Sequence, residues 1–314
     1  MLARTSCSIK DNSDPKLWTL SLGYRYQQSF RHFVGDIEQK QREINRNQIY
    51  NLYHLFDVSI ERQLTPRWSV SASVPFIFAH RNQLYSPSGR QVVNSQGDAS
   101  VGFRTWIFKP PTETGDNISI GSSIKLPTGR FRATALAVRS GQLISTTVDQ
   151  SLQAGDGGTG FTIDIQGYKR VFFKTMVYGA ALYLFNPRVT NGVSTFRGAR
   201  GEEVFSVADQ YLLRAGAAHA LPKIRGLAAS FGIRKEGVPV RDVLGKSLGF
   251  RRPGYVTSID PGLLYTRGLY TFSVNGPWAI KRNRRRSVPD ITRGAHGDAA
   301  FSDYTILVGL SRRF

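Results

Sequence analysis

Twelve segments of this chain alternate between apolar and polar residues with a period of two, which is typical of strands whose two faces meet different environments. In residues 68–79, serines alternate with tryptophan, valine, alanine and phenylalanine, and in residues 117–126 isoleucines alternate with serine and glycine. The segments lie near 18–28, 48–64, 68–79, 98–109, 117–126, 160–170, 175–185, 205–220, 227–234, 254–266, 269–275 and 299–314. The pattern predicts an all-β fold.

The gaps between these segments alternate between long and short along the chain. Long gaps lie near 29–47, 80–97, 127–159, 186–204, 235–253 and 276–298; short ones near 65–67, 110–116, 171–174, 221–224 and 267–268 hold turn formers such as Thr65-Pro66 and Pro110-Pro111. Transmembrane barrels have this arrangement, with short periplasmic turns and long extracellular loops. We therefore predict a transmembrane antiparallel β-barrel of about twelve strands over residues 17–314, preceded by a polar N-terminal tail at 1–16.

Hydropathy agrees with strands rather than helices as the membrane-spanning elements. The mean hydropathy is −0.26, and the longest apolar run is Met176–Phe185. That run matches a spanning strand of about 9–11 residues, whereas a spanning helix needs about 20. We expect a location in the bacterial outer membrane. Because residues 1–16 lack the apolar core of a secretory signal, we expect the signal to have been removed or to lie upstream of this start.

The last residues form an amphipathic strand that ends on an aromatic side chain. Tyr304, Ile306, Val308 and Leu310 fall on one face, and Phe314 ends the chain. This ending resembles the closing strand of bacterial outer-membrane barrels. The resemblance implies recognition of Phe314 by the barrel-assembly machinery, although Arg312 departs from the aromatic or apolar residue expected there.

Basic residues exceed acidic residues and give a net charge of +20 and a pI of about 10.4. Such a charge favours anionic lipid, anionic solutes or nucleic acid as partners, and the barrel topology argues against nucleic acid. A basic run in the last long gap is predicted to face lipopolysaccharide phosphates, with an ordinary solvated loop as the alternative. This run comprises Lys281, Arg282, Arg284, Arg285 and Arg286.

The strand assignments also predict which ionisable residues face the lumen. These are Arg25, Glu61, Asp98, Arg104, Lys125, Asp164, Arg214, Arg234 and Asp260. Because basic residues outnumber acidic ones in this set, an open pore should favour anions. The alternative is that opposite charges pair across the bore and fill it. Twelve strands lie between eight-stranded barrels, which side chains fill, and wide pores of 16–18 strands, so we expect a narrow bore.

Catalytic and metal-binding motifs are not evident. The five histidines do not pair with acidic residues or cysteine at metal-ligand spacing, and no G-x-S-x-G motif occurs. His54 with Asp57 could form a site, but a wall histidine is the simpler interpretation. Gly155–Gly160 matches G-x-G-x-x-G but precedes a predicted strand rather than a helix, so we interpret its glycines as backbone hinges. We predict no enzyme activity, no cofactor and no metal.

Four pieces of the chain, in order, resemble a family of outer-membrane barrels named for the meta-pathway of phenol degradation. They are Trp68–Phe76, Gln96–Phe103, Ile124–Gly129 and Gly158–Gly160. The resemblance implies a transporter of aromatic or other hydrophobic compounds and supplies no catalytic residues.

Within these pieces, proline and glycine predict a wall break or gate. Pro75 cannot donate a backbone hydrogen bond, and Pro127 with Gly129 begins the longest gap, which ends near Gly157 and Gly158. We expect residues 127–159 to fold inward as a plug or gate, with Asp98 binding loop N–H groups or a basic loop residue. Passive movement of small solutes through a narrow, basic-leaning lumen is the expected function. Two alternatives are a structural or adhesive barrel that binds lipopolysaccharide or acidic polymers, and a membrane esterase.

Overall fold

The computed structural model describes residues 18–83, 90–108, 115–139 and 142–314. Its first eleven strands are β1 (Trp18–Ser29), β2 (Arg31–Val34), β3 (Ile37–Glu38), β4 (Ile49–Gln63), β5 (Trp68–Gln83), β6 (Gln91–Gln96), β7 (Ser100–Trp106), β8 (Asp116–Lys125), β9 (Thr134–Arg139), β10 (Gln142–Thr147) and β11 (Gly160–Phe172). The remaining strands are β12 (Thr175–Phe185), β13 (Thr190–Ser194), β14 (Val204–Ser206), β15 (Gln210–Ala220), β16 (Leu227–Val238), β17 (Gly254–Ile259), β18 (Gly262–Arg267), β19 (Tyr270–Asn275), β20 (Trp278–Arg284), β21 (Ala299–Phe301) and β22 (Thr305–Arg313).

Helical structure is limited to short pieces in the long connections. The described helices are α1 (Gln41–Ile44), α2 (Val288–Thr292) and a 3-10 turn at Gln150–Leu152. Ser287 and Asp290 cap the start of α2 reciprocally, each side chain accepting from the other residue's N–H. No helix within the described ranges has the length and apolar character needed to span a membrane.

Twelve antiparallel strands close into a barrel. Their order around the wall is β1, β4, β5, β7, β8, β11, β12, β15, β16, β18, β19 and β22, and β22 pairs with β1 again. Each wall strand overlaps one of the twelve segments predicted from alternation, so the predicted barrel is confirmed. The segment predicted as one strand at 254–266 instead forms two, β17 and β18, and only β18 belongs to the ring. Closure leaves no free edge around the ring, which a spanning sheet requires in lipid.

Alternation assigns one face of each strand to lipid. Leu20, Leu22 and Tyr24 of β1 lie opposite Ile60, Val58 and Phe56 of β4 on the outer face. Many large apolar side chains on this face are exposed, from 37% at Phe76 to 59% at Phe231. Such an apolar band around a closed barrel is the surface that lipid covers in a membrane protein.

Strand β12, apolar on both faces in sequence, is oriented by its neighbours. Asp164 of β11 and Leu212 of β15 face the lumen, and both lie opposite Leu182 of β12. The even-numbered positions Tyr178 to Leu184 therefore face inward, and the odd-numbered ones face lipid.

The long gaps contain more strand than expected. Strand β20 occupies residues 278–284, inside the gap predicted as the last long loop, and pairs with β17. Strand β6 similarly lies in a predicted long gap and pairs with residues 76–81 of β5, toward the extracellular end of that strand. These extensions lengthen the wall at its extracellular end at two opposite places, beside β5 and beside β16. The predicted tail at 1–16, with Cys7, and the Pro110-Pro111 turn lie outside the described residues.

The chain end follows the predicted strand. Tyr304, Ile306 and Leu310 are on the outer face, and Phe314 exchanges backbone hydrogen bonds with Trp18 at 3.0 and 3.1 Å. The Arg312 guanidinium lies 5.6 Å from the centre of the Tyr270 ring, which gives this outward cation an aromatic partner.

Candidate functional site

Small residues line much of the inner wall. The strand registers place serine or glycine at successive inward positions, which leaves space in the bore. These inward positions include Ser21, Gly23, Ser59, Ser71, Ser73, Gly102, Ser119, Gly121, Ser123, Gly216, Gly232, Ser273, Gly309 and Ser311. The lumen is therefore polar and is narrowed mainly by the few long side chains that enter it.

The predicted lumen residues occupy inward positions or the break in the wall, and their charges are paired. Ion pairs join Arg104 to Asp164 at 2.5 Å, Arg214 to Asp260 at 2.7 Å, and Lys125 to Asp98 at 3.5 Å. Lys125 also pairs with Asp156, and Glu61 lies within electrostatic range of Arg313. The structure thus brings these side chains together as compensated pairs.

A salt bridge crosses the lumen between strands that are not neighbours. Arg25 of β1 contacts Glu236 of β16 at 2.9 Å, and Arg234 contacts the same carboxylate at 2.7 Å. Strands β22, β19 and β18 separate β1 from β16 around the wall. This bridge therefore narrows the bore directly. Glu236 was not among the predicted lumen residues, although its spacing of two from Arg234 places both on one strand face.

Glu236 changes the charge balance of the lumen set. The predicted set contained five basic and four acidic residues, and Glu236 makes the acidic residues five as well. With Glu236 included, basic and acidic residues are equal in number. The excess of basic residues, from which the anion preference was predicted, is therefore absent.

The wall ladder is interrupted next to Pro75. Strand β5 pairs with β7 up to Ser73 and with β6 from Phe76 onward, so residues 97–99 leave the ladder opposite Pro75. The Gly97 N–H donates to the Pro75 carbonyl at 2.7 Å. Proline is tolerated at this position because residues 97–99 bulge out of the ladder opposite it. No backbone group of β6 or β7 therefore needs a hydrogen bond from position 75.

Asp98, within this interruption, binds both ends of the loop at 127–159, which we call the inner loop. Its carboxylate accepts from the Gly129 N–H at 2.9 Å and from the Asp156 N–H at 3.2 Å. Thr128 also joins this contact, since its hydroxyl accepts from the Ala99 N–H at 2.8 Å. The four pieces that carry the family resemblance converge at this place, which no single piece reveals.

The glycines predicted as gate residues permit close backbone approach. A Cβ on Gly129 would lie 2.8 Å from the Asp98 nitrogen, and one on Gly158 would lie 2.6 Å from a Val207 methyl carbon. Gly157 adopts φ +77°, a conformation that favours glycine. Pro127 lines a cavity together with Gly157 of the loop stem and Ile124 of the wall.

The inner loop folds into the lumen at the extracellular end of the barrel. Ala133, Val148 and Leu152 are at most 1% exposed and pack against Ala79 and Val93 on the inner faces of β5 and β6. Each buried aliphatic side chain contributes about 1.5–3 kcal/mol relative to exposure. This apolar contact holds the loop against the inside of the wall.

Charged contacts fasten the same loop to the other extracellular connections. Asp149 accepts two hydrogen bonds of 2.7 Å from Arg252 and lies 3.3 Å from Arg81. Burial raises the pKa of the Asp149 carboxyl, but the Arg252 and Arg81 guanidinium groups outweigh it and leave that pKa well below its usual range. The Gln150 amide donates to the carbonyls of Ser206 and Phe250 at 3.1 and 3.2 Å.

A cavity of about 560 Å³ opens where β8 ends beside the inner loop. It is lined by Ile124, Pro127, Gly157, Thr159, Gly160, Phe161, Pro187 and Arg188. Ile124 belongs to the membrane-facing row and is 55% exposed. Ile124 and Phe161 lie opposite each other in the β8–β11 ladder, on its outward face. The cavity is therefore bordered by membrane-facing wall residues on one side and by loop residues on the other.

The basic run at 281–286 divides into internal and exposed members. Arg282 contacts Asp303 at 2.5 Å, Arg284 is 1% exposed and contacts Asp290 at 3.1 Å, and Arg286 donates to the Ala295 and Asp290 carbonyls. Lys281 and Arg285 are exposed.

Candidate catalytic groups are not assembled. His54 lies on the outer face and contacts the Tyr24 hydroxyl at 2.8 Å, whereas Asp57 lies on the inner face. In the part of the chain that the structure describes, no cluster of three or more His, Cys, Asp or Glu residues is placed to hold a metal ion.

Solved structures with this architecture are outer-membrane proteins. The COG4313 outer-membrane channel from Pseudomonas putida F1 matches with a TM-score of 0.65 and 9% identity, covering 98% of this chain and 100% of that chain. The chain has an outer-membrane β-barrel fold. The β domain of the Bordetella autotransporter BrkA matches with a TM-score of 0.52 and 10% identity, covering 95% and 100%.

A third match is more distant. The Pseudomonas putida toluene transporter TodX has a TM-score of 0.47 and 8% identity, covering 96% of this chain and 90% of that one. No family model and no curated protein matches the sequence. The barrel fold implied by the resemblance to the phenol meta-pathway family is confirmed at this level. The two structures with TM-scores above 0.5 are an outer-membrane channel and an autotransporter β domain.

Proposed function

We propose that this protein is a bacterial outer-membrane channel for passive uptake of small solutes, including aromatic or other hydrophobic compounds. The observation that carries the proposal is the inner loop, which packs inside the wall, is fastened at the interruption beside Pro75, and borders a cavity next to membrane-facing Ile124. A structural barrel needs neither a small-residue lumen nor a loop fastened inside it.

The polar lumen and the apolar cavity favour different solutes. Small hydrophilic molecules would pass the Arg25–Glu236 bridge toward the periplasm. Hydrophobic molecules would pass the inner loop and leave through the cavity beside Ile124 and Phe161 into the lipid. With the lumen charges paired, we expect weak ion selectivity rather than strong anion preference.

Deletion of the inner loop tests the channel function. Because the Arg130 carbonyl accepts from Ala154 and Gly155 at 3.1 and 3.2 Å, the loop stems are adjacent and a short Gly-Ser linker can replace residues 132–152. We expect larger single-channel conductance in planar bilayers than for the full chain. Replacing the exposed tip 243–246 with Gly-Ser-Gly-Ser is the control. Unchanged conductance in a folded deletion variant would contradict the proposal.

The lateral path has a separate test. Thr159→Trp would fill the cavity, and Thr292→Trp on α2 is a control outside it. We expect Thr159→Trp to slow uptake of a neutral naphthalene dye into proteoliposomes while ion conductance stays at the level of the full chain. Equal dye uptake in all three proteins would exclude the lateral path.

The second candidate is an adhesive or structural barrel that uses its basic surface to hold lipopolysaccharide or acidic polymers. Exposed Lys281 and Arg285 favour it. A deletion variant that inserts but does not conduct would support this candidate. For either function, we propose that the barrel-assembly machinery recognises Phe314, which is 49% exposed.

A further inference from the structure

Three basic side chains lie on the outer face of the wall at its extracellular end. Lys235 of β16 lies opposite Thr257 of β17, which in turn lies opposite Lys281 of β20. Residues directly opposite in an antiparallel sheet share a face, so both lysines point outward. Arg285 continues the same alternation beyond β20, and its N–H extends the ladder to the Pro253 carbonyl at 2.9 Å. We call Lys235, Lys281 and Arg285 the basic patch.

The basic patch lies immediately above the apolar belt. On the membrane side of it, Ile233 is 54% exposed and Trp278 is 55% exposed, and both face outward. The Trp278 and Tyr304 rings stack with centroids 5.9 Å apart, and Tyr26 continues this stack at 6.4 Å from Tyr304. Stacked aromatics mark the membrane interface in outer-membrane barrels. The patch therefore meets the headgroup layer of the outer leaflet.

The charges of the patch are available to an external partner. None of the salt bridges among the described residues involves Lys235, Lys281 or Arg285. The Lys235 ammonium lies 4.4 Å from the centre of the Tyr255 ring, which holds it over an aromatic surface without neutralising it. Arg282 and Arg284, close by in sequence, are instead bound to Asp303 and Asp290. The structure thus separates cations that stabilise the loops from cations that face the lipid.

We propose that the basic patch binds the phosphates of lipopolysaccharide, with the acyl chains lying along the apolar face formed by β16, β17 and β20. Lysine and arginine donate charge-assisted hydrogen bonds to phosphate oxygens. Lipid A presents phosphates directly above its acyl chains, and the structure presents cations directly above exposed aliphatic and aromatic side chains. This patch differs from the basic run predicted to face lipopolysaccharide. It leaves out Arg282, Arg284 and Arg286 of that run, and it adds Lys235 from β16.

The test measures retention of hexa-acylated lipid A on the detergent-solubilised barrel by native mass spectrometry. The variant Lys235→Glu/Lys281→Glu/Arg285→Glu should bind on the order of 100-fold more weakly, since each basic residue at an anionic surface contributes appreciably and additively. Dephosphorylated lipid A should bind the parent protein and the variant equally weakly.

The matched control makes the same charge change at the opposite rim. Lys169, Lys174 and Arg267 lie at the short-turn end, and their triple glutamate variant should retain lipid A like the parent. If the glutamate patch variant fails to fold, the corresponding triple glutamine variant replaces it, with heat-modifiable migration in gels as the check of folding. Equal retention by patch variant and parent, equal loss in the control, or undiminished binding of dephosphorylated lipid A would overturn the proposal.

Discussion

The Asp98 carboxylate accepts a hydrogen bond of 2.9 Å from the N–H of Gly129, and this contact fastens the start of the inner loop to the interruption in the wall. A second contact, from the Asp156 N–H, fastens the end of the same loop. One side chain therefore holds both stems of a loop that packs inside the wall.

Asp98→Ala should loosen the inner loop. It removes the acceptor for two backbone N–H groups, and leaving such donors unsatisfied costs about 1–3 kcal/mol each when they are buried. We expect faster tryptic cleavage within residues 127–159 and a lower free energy of unfolding in urea. The exposed Glu203→Ala substitution is the control. Unchanged cleavage would show that apolar packing alone holds the loop.

Gly129→Ala should destabilise the same contact through crowding. The added Cβ would lie 2.8 Å from backbone atoms of Gly97 and Asp98, which cannot move without disturbing the bulge. Overpacking of this kind costs about 1–3 kcal/mol. Gly198→Ala is matched, since its Cβ would meet nothing within 4 Å, and should change stability by less than about 0.5 kcal/mol. Equal urea midpoints for the two variants would refute the crowding argument.

Glu236→Gln should make the channel anion-selective. The substitution leaves Arg25 and Arg234 without their shared carboxylate. A unit charge acts on an ion about 4 Å away with about 1 kcal/mol in water, so we expect a roughly fivefold rise in the anion-to-cation permeability ratio. The reversal potential under a potassium chloride gradient measures this ratio, with Glu203→Gln as the control. An unchanged reversal potential would show that the Arg25–Glu236 salt bridge does not lie on the ion path.

The stabilisation from the ion pair between Asp149 and Arg252 should depend on pH in a definite direction. The pKa of Asp149 is lower in the folded protein than the value of about 4 for an unfolded aspartate, so its stabilisation is fully present above about pH 4. It is then lost as the pH falls toward the folded value. In Asp298 of the last long connection, burial raises the pKa, but a hydrogen bond from His32 and the Arg42 charge outweigh it and lower the pKa to about 2.

We therefore expect constant conductance between pH 7 and 5 and a rise below about pH 4 as the extracellular contacts weaken. Asp149→Asn should show the higher conductance already at pH 7, because it cannot neutralise Arg252 and Arg81. A rise in the parent protein between pH 7 and 5 would mean that another group controls the loop.

Much of the barrel was predictable from local sequence because each wall strand faces lipid on one side and the lumen on the other. The alternation in 68–79 or 117–126 records that difference residue by residue, and β5 and β8 form there. Local sequence was less informative in the connections. Strand β20 falls within a basic run that gives little strand signal, and it forms because β17 offers it a ladder.

The site was predictable only in part. The glycines of the inner loop predicted an unusual backbone conformation. The position of Asp98 before a strand predicted that it lies at the rim of the barrel and binds the loop. Glu236 was missed because its partner Arg25 is 211 positions away, and a side chain's role in a bore depends on what stands across it.

Sequence alone determined that the chain forms a twelve-stranded barrel with long loops on one side, because the period-two pattern and the gap lengths are local properties. The tertiary structure decided which charges pair, which loop enters the lumen and which cations face lipid. The charge pairs depend on barrel closure, which brings β1 across from β16, and the outward cations depend on β17 and β20 pairing beyond β16. No local pattern specifies distances across a closed wall.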